Sequence, residues 1–281
     1  MRYRFYWLAP ALALALLLCL LPLPLQAADP DTPKAVIFID PGHGGSDSGA
    51  VYHGAGFTLE EAEVNLDVAL LTADRLRERG YAVYLSRETM DQPGGSEDVN
   101  GDGQSNNRDG LQSVVDQANA AHADLFLSIH HNGSTNPNAA GSEVYYCADR
   151  PFADDSFRFG QLVLDEVLAA LARQGYDSPN RGVMDDAVLY SRGAYHGHLF
   201  VLGPLRTPNP SAFARPMPTG SERRRWAPKL RATEMPGVLS EALFVSNPYE
   251  ARLLTQPRIR AALADAFANA VDRYFAPTPG G

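Results

Sequence analysis

A few histidines and carboxylates at the ends of apolar runs are where this sequence could do chemistry. His43 follows the short run Val36-Ile-Phe-Ile-Asp40, inside Asp40-Pro-Gly-His-Gly-Gly-Ser-Asp47. Flanking glycines let backbone come close and leave an imidazole uncovered, although the same spacing suits a turn histidine that binds nothing. His130 ends the run Ala123-Asp-Leu-Phe-Leu-Ser-Ile-His-His-Asn132. With a strand's period of two, it shares a face with Phe126 and Ser128, and His131 points the opposite way. Glu241 lies within Gly-Val-Leu-Ser-Glu-Ala-Leu-Phe. A carboxylate buried there is costly unless paired, hydrogen-bonded or near a metal, and the same environment makes a useful base. Glu61 has a plainer reading: Thr58-Leu-Glu-Glu61 fits a capping box, with the Glu61 side chain on the Thr58 backbone N–H. Two histidines and a carboxylate with an open fourth position are what catalytic zinc uses. Such an ion lowers the pKa of bound water to about 7, within reach of a carboxylate base. His196-Gly-His198 is a rival ligand pair.

The elements that must position these residues alternate. Short apolar runs at 36–40, 82–86, 125–129, 143–147, 198–202 and 237–244 read as strands. Helical spacing of apolar residues covers 59–79, 111–122, 157–174 and 257–275. The alternation predicts an α/β fold with a largely parallel sheet and helices on both faces, whose site sits at the carboxyl ends of the strands.

Composition narrows the function. Of 281 residues, 45% are hydrophobic and 20% charged, which excludes wholesale disorder. The formal charge of −9 argues against a nucleic-acid binder held by general electrostatics. Residues 1–27 hold two arginines and an Ala/Leu-rich apolar stretch that ends at the small pair Ala27-Ala28. They read as a secretory signal peptide cut near Ala27, with no permanent membrane span, as against a retained anchor. An exported chain of residues 28–281 would keep one cysteine, Cys147, and so no internal disulfide.

Four stretches, in order, carry a family likeness. Ile39-Asp-Pro-Gly-His-Gly-Gly-Ser-Asp-Ser-Gly-Ala50, Glu61-Ala-Glu-Val-Asn-Leu66, the 123–132 run and Met235-Pro-Gly-Val-Leu-Ser-Glu-Ala-Leu-Phe-Val-Ser-Asn247 resemble the motifs of the zinc-dependent N-acetylmuramoyl-L-alanine amidases (amidase type 3). The resemblance implies one α/β domain with a roughly six-stranded sheet. It implies zinc bound by His43, Glu61 and His130, with Glu241 as general base, and it displaces the capping reading of Glu61. The implied reaction is hydrolysis of the amide between the lactyl carbonyl of N-acetylmuramic acid and L-alanine in peptidoglycan, at the cell wall, periplasmic or extracellular. A zinc peptidase of different amide specificity and a wall-binding protein with weak activity are the competing functions. The chain departs from the family pattern at His131, where alanine is usual, and at Ala62 and Val114, where lysine and arginine are usual.

Two segments fall outside that pattern. Residues 203–231 hold six prolines, seven Lys/Arg and one Glu, a basic insert in an acidic chain. It reads as a solvated loop, as a lid displaced by an activator protein, or as an anchor for anionic wall polymer. Residues 98–109 have oxygen-bearing side chains at calcium-loop spacing and are similar to the loops of dockerin modules. The expected ligands there are Asp98, Asn100, Asp102, Gln104 and Asp109 for Ca2+, as against a Gly/Asn surface turn.

Overall fold

The computed structural model describes residues 32–54, 56–101, 103–189, 197–203 and 230–277. The leader, Asp102, the stretch 190–196 that includes His196, and residues 204–229 of the basic insert lie outside these. Among the described residues no helix is long and apolar enough to cross a membrane.

In chain order the elements are β1 (Val36–Pro41), β2 (Val51–Gly54), β3 (Phe57–Glu60), α1 (Glu61–Glu78), β4 (Ala82–Leu85), α2 (Asn107–Ala120), β5 (Leu125–Asn132), β6 (Ser142–Tyr146), α3 (Ala153–Arg173), β7 (Asn180–Asp185), a 3-10 turn (Asp186–Leu189), β8 (Gly237–Phe244), α4 (Pro248–Leu254) and α5 (Pro257–Phe275). The main sheet is six-stranded, in the order β4-β1-β5-β8-β6-β7. Every pair in it is parallel except β6 with β8. The expected α/β class, the strand number and the mostly parallel sheet all match.

Alternation along the strands sorts the core into two layers. Ile37, Ile39, Leu125, Leu127, Ile129 and Val238 pack with residues of α1, α3 and α5. Phe38, Phe126, Tyr145 and Leu239 face the other way, toward Val114, Val115 and Ala118 of α2. His130 and Glu241 follow the same alternation as Phe126 and Leu239, so both rise on the α2 side.

Three expectations change. The run 198–202 is not a strand: Leu202 and Gly203 N–H groups both turn back onto the Leu199 carbonyl, and Val201 and Leu202 bury against the α2-side cluster. Its apolar residues belong to a buried turn, which a short run cannot distinguish from a strand. The helix expected from 59 starts at Glu61, because 57–60 pair antiparallel with 51–54 as a hairpin. Thr58, the supposed cap, is paired with His53 in that hairpin, and α1 has no side-chain cap. Strand β7 was not expected, since Asn180-Arg-Gly-Val-Met-Asp185 is too polar to read as one.

Candidate metal centre and active site

The strand β1 delivers its chain to a tight loop at the carboxyl edge of the sheet. Gly42 N–H bonds the Ile129 carbonyl of β5 at 3.0 Å, and Gly44 and Asp47 exchange backbone hydrogen bonds at 2.8 and 3.1 Å. Arg87, nearly fully buried, donates to the carbonyls of Pro41, Gly42 and Ala62, locking the loop to the start of α1. Within this loop His43 has φ 65°, a left-handed conformation unusual for a residue with a side chain. Such strain costs about 1–3 kcal/mol and persists where the surroundings dictate it; here it aims the ring inward.

His43 Nδ1 lies 3.1 Å from the Asp47 carboxylate and Nε2 lies 3.0 Å from Glu61 Oε1. His130 Nδ1, from β5, approaches the same Glu61 Oε1 at 3.0 Å. The two rings stand edge to face with centroids 4.8 Å apart. Glu61 itself is 4% exposed. Its Oε2 accepts the Ala50 N–H at 2.8 Å, and its Oε1 also accepts from Asn65 Nδ2 and the His131 N–H, both at 3.3 Å. Burial alone would raise the Glu61 pKa, but the hydrogen bonds and charges of His130 and His43 outweigh it and hold the carboxyl well below its usual range. Burial likewise opposes the charged form of His43, yet Glu61 and then Asp47 raise it to about 9.

Three ligand atoms of His43, Glu61 and His130 lie within 4.8 Å of one another. Space around them is kept by glycine. A Cβ on Gly42 would stand 2.0 Å from His130 Nε2, and one on Gly49 2.5 Å from Glu61 Oε2. One oxygen and two imidazoles in a glycine-lined recess fit a divalent ion of the zinc type. The Asp47–His43 contact adds the carboxylate that fixes tautomer and ring direction in metal-bound histidines. Asp47→Asn is therefore expected to weaken binding of a divalent metal by about 10–100-fold without unfolding the loop, as measured by chelator competition alongside circular dichroism.

Across the sheet, Glu241 pairs in register with His130 on one side and with Glu143 of β6 on the other. Glu143 is committed: it accepts from Asn132 Nδ2 at 2.5 Å, Tyr145 Oη at 2.9 Å and Arg181 Nε at 2.5 Å. Glu241 is not. Its buried Oε2 has no hydrogen-bond partner among the described residues. Burial, then the charges of Glu61 and Glu143, raise its pKa well above the ordinary value. The arrangement sets a poised carboxylate beside a metal-type ligand cluster at the carboxyl ends of parallel strands.

Sequence reasoning missed Asp47, Asn65, Glu143 and Arg181 as site residues. Asp47 was quoted but given no role, and the others are ordinary polar residues whose partners lie far along the chain. His131, fully buried, bonds Asn65 Oδ1 at 2.8 Å; burial lowers its pKa to about 3 and keeps it neutral. It braces Glu61 from the helix side rather than joining the ligand cluster. In the 98–109 loop, Asp98 accepts the N–H groups of Gly101 and Gly103 at 2.8 and 2.9 Å. Asp109 accepts those of Asn100 and Asn106 at 3.1 and 2.8 Å, the latter closing a capping box at the start of α2.

A mostly parallel α/β domain with a candidate His/Glu/His metal centre and a carboxylate beside it defines the class: an α/β protein with a candidate metal site at the strand ends. The profile of the N-acetylmuramoyl-L-alanine amidase family matches residues 37–273, and the chain belongs to that family. It is 30% identical over 242 residues to the N-acetylmuramoyl-L-alanine amidase AmiC of Neisseria meningitidis serogroup B, covering 86% of this chain and 53% of that one. It is 28% identical over 257 residues to AmiA of Salmonella typhimurium, covering 86% of this chain and 76% of the relative. The chain thus spans about half the length of the first relative and three quarters of the second. Among solved structures, the amidase AmiC2 of Nostoc punctiforme aligns with TM-score 0.58 at 23% identity, over 86% of this chain and 98% of that one. The CwlD amidase of Clostridioides difficile, in complex with the GerS lipoprotein, aligns with TM-score 0.59 at 22% identity, over 85% and 98%. These structural likenesses establish the fold.

Proposed function

We propose that this chain hydrolyses the amide between the lactyl carbonyl of N-acetylmuramic acid and L-alanine in peptidoglycan, with zinc held by His43, Glu61 and His130. The observation that carries the reading is the Glu241 carboxylate, whose Oε2 has no partner among the described residues and which stands in register with His130. A bound zinc ion supplies Lewis acidity toward the scissile carbonyl and toward water. Glu241 takes the proton of the attacking water at its free oxygen and hands it to the leaving alanine nitrogen. Its raised pKa makes it a stronger proton acceptor than an ordinary carboxylate. Arg181 supplies the counter-charge to Glu143, the second carboxylate in the row. Asp47 and Asn65 hold His43 and Glu61 in orientation. Family membership favours the muramoyl amide over a peptide bond. Digestion of purified peptidoglycan, followed by mass spectrometry, tests it. The expected products are stem peptides with a free alanine amine and glycans with a free muramic carboxylate, both lost with a chelator. Cuts inside the stem would make the chain a peptidase, and wall binding without any cut would make it a binding protein.

Three further expectations accompany this reading. Export through the 1–27 leader would bring the enzyme to the wall. Deleting 204–229 raises wall-release activity if the basic insert is a lid for an activator, lowers wall binding if it is an anchor, and changes neither if it is a passive loop. Calcium at 98–109 would bind through Asp98, Asn100, Asp102, Gln104 and Asp109; titration calorimetry should show one binding event, removed by Asp98→Ala, and a flat titration would leave the loop as a capped turn.

A further inference from the structure

Beyond the His43/Glu61/His130 cluster, the described residues hold one more group with metal-ligand chemistry. Cys147, just past β6, Asp186, in the turn after β7, and His198 offer a thiol, a carboxylate and an imidazole whose ligand atoms lie within 4.8 Å of one another. Cys147 is 2% exposed and Asp186 not exposed at all. His198 Nδ1 stands 3.3 Å from Cys147 Sγ and 2.5 Å from Asp186 Oδ1.

Two explanations compete for a Cys/His/Asp group. One is a nucleophilic array, in which the acid orients one ring nitrogen and the thiol meets the other. The contacts do not have that form: sulfur and carboxylate converge on the same nitrogen, Nδ1. Burial, then the Asp186 charge, push the thiol up to about 12, so it is no nucleophile at neutral pH. The other is a cation site. Three lone-pair donors converge on one point, and a single Nδ1 proton cannot serve both acceptors well. The opposite ring nitrogen, Nε2, meets the Asp149 carboxylate at 3.1 Å. A carboxylate on the far nitrogen is the usual partner of a metal-bound histidine. The Asp149 backbone N–H is directed at the Cys147 sulfur and favours its thiolate form. Asp186 Oδ2 is fixed by the Leu199 N–H at 2.7 Å, leaving Oδ1 for the shared point.

We propose that Cys147, Asp186 and His198 bind a second divalent ion of the zinc type, with Asp149 orienting the histidine. Thiolate, imidazole and carboxylate are the donors zinc takes, and thiolate excludes calcium and magnesium. This site shares no residue with the first cluster. It ties the segment 197–203, which leads toward the basic insert, to the ends of β6 and β7. An ion there would act structurally, as a clip replacing the disulfide that one buried cysteine cannot form.

Cobalt is the probe, because a thiolate ligand gives Co2+ an intense near-ultraviolet charge-transfer band that His and carboxylate ligands do not. The full chain should bind two equivalents of cobalt and show the band. His130→Ala should lose one equivalent and keep the band; Cys147→Ser should lose one equivalent and the band with it. Asp149→Asn, at an exposed carboxylate, should fold normally and weaken the band-forming event by about tenfold. That variant also separates Cys147 from the chain's other cysteine, Cys19 of the 1–27 leader, whose band it would not alter, and stands in if Cys147→Ser does not fold. Cobalt saturation of the wild type with no band, or an unchanged band in both Cys147→Ser and Asp149→Asn, would overturn the site. An unchanged stoichiometry in His130→Ala would count against the first centre alone.

Discussion

Glu241→Gln is expected to lower kcat for muramoyl-amide hydrolysis by about 10^2–10^4-fold, with zinc content and KM close to wild type. Glutamine keeps the size and the strand pairing with His130 and Glu143, so the substrate still meets the same surface. What it removes is the carboxylate of that row whose Oε2 has no hydrogen-bond partner among the described residues, whereas Glu143 is bound by Asn132, Tyr145 and Arg181. The same change should stabilise the metal-free protein. Burial and the charges of Glu61 and Glu143 raise the folded pKa of Glu241. A folded state that holds this proton more tightly than the unfolded one loses stability as pH rises above the unfolded value of about 4.5. Glutamine abolishes that loss. Tm of metal-free Glu241→Gln should therefore exceed that of the wild type at pH 8, and the gap should close toward pH 4. A kcat within tenfold of wild type would take Glu241 out of the mechanism, whatever its effect on Tm.

That opposition between stability and rate explains why this residue was legible in the sequence. A lone carboxylate in Val-Leu-Ser-Glu-Ala-Leu breaks the pattern of a buried strand, and a broken local rule marks a place where something other than folding is being served. His130 was legible for the complementary reason: it continues a clean period-two alternation and so had a predictable face. The sheet's class and the spans of β8 and α5 followed from apolar periodicity, which packing on two faces enforces. Glu61 was different. From its neighbours it read as a cap, and only the likeness to a family placed it with the histidines. Capping chemistry is local, whereas the fold spends Thr58 on a hairpin with His53, a pairing between two four-residue strands too short to read from their own apolar pattern. Strand β7 escaped for a related reason. It lies at the sheet edge, pairs only with β6, and is half exposed, so its residues need not be apolar. Arg181 on that strand, the counter-charge to Glu143, was lost with it. Polar partners set by long-range packing carry no spacing signal of their own.

Glu61→Gln should reduce zinc affinity by more than the ~100-fold typical of losing an outer hydrogen-bond partner, since it removes the negative charge that both imidazoles share. The loss is visible as stability. Zinc at 100 times its dissociation constant adds about 2.7 kcal/mol to a protein that binds it only when folded; the variant should show almost none of that rise in Tm. The pH dependence gives a sharper test. Against the opposing effect of burial, Glu61 and Asp47 raise His43 from 6.5 to about 9 in the metal-free protein. The stability from those contacts is complete below pH 6.5 and disappears as pH rises through about 9. The Glu61 carboxyl, held low by the two histidines, contributes above its ordinary value and fails as pH falls through its folded one. Zinc must displace the His43 proton to bind, because the metal takes neutral imidazole. Apparent zinc affinity should accordingly climb about tenfold per pH unit from 6.5 up to about 9 and then flatten. With glutamine at position 61 the main support for the imidazolium is gone, so the climb should end near the ordinary histidine value instead. Competition against a chromophoric chelator across this pH range reads both curves. A wild-type affinity already flat above pH 7 would mean that no proton guards the site and that Glu61 does not hold the two rings as the geometry has it.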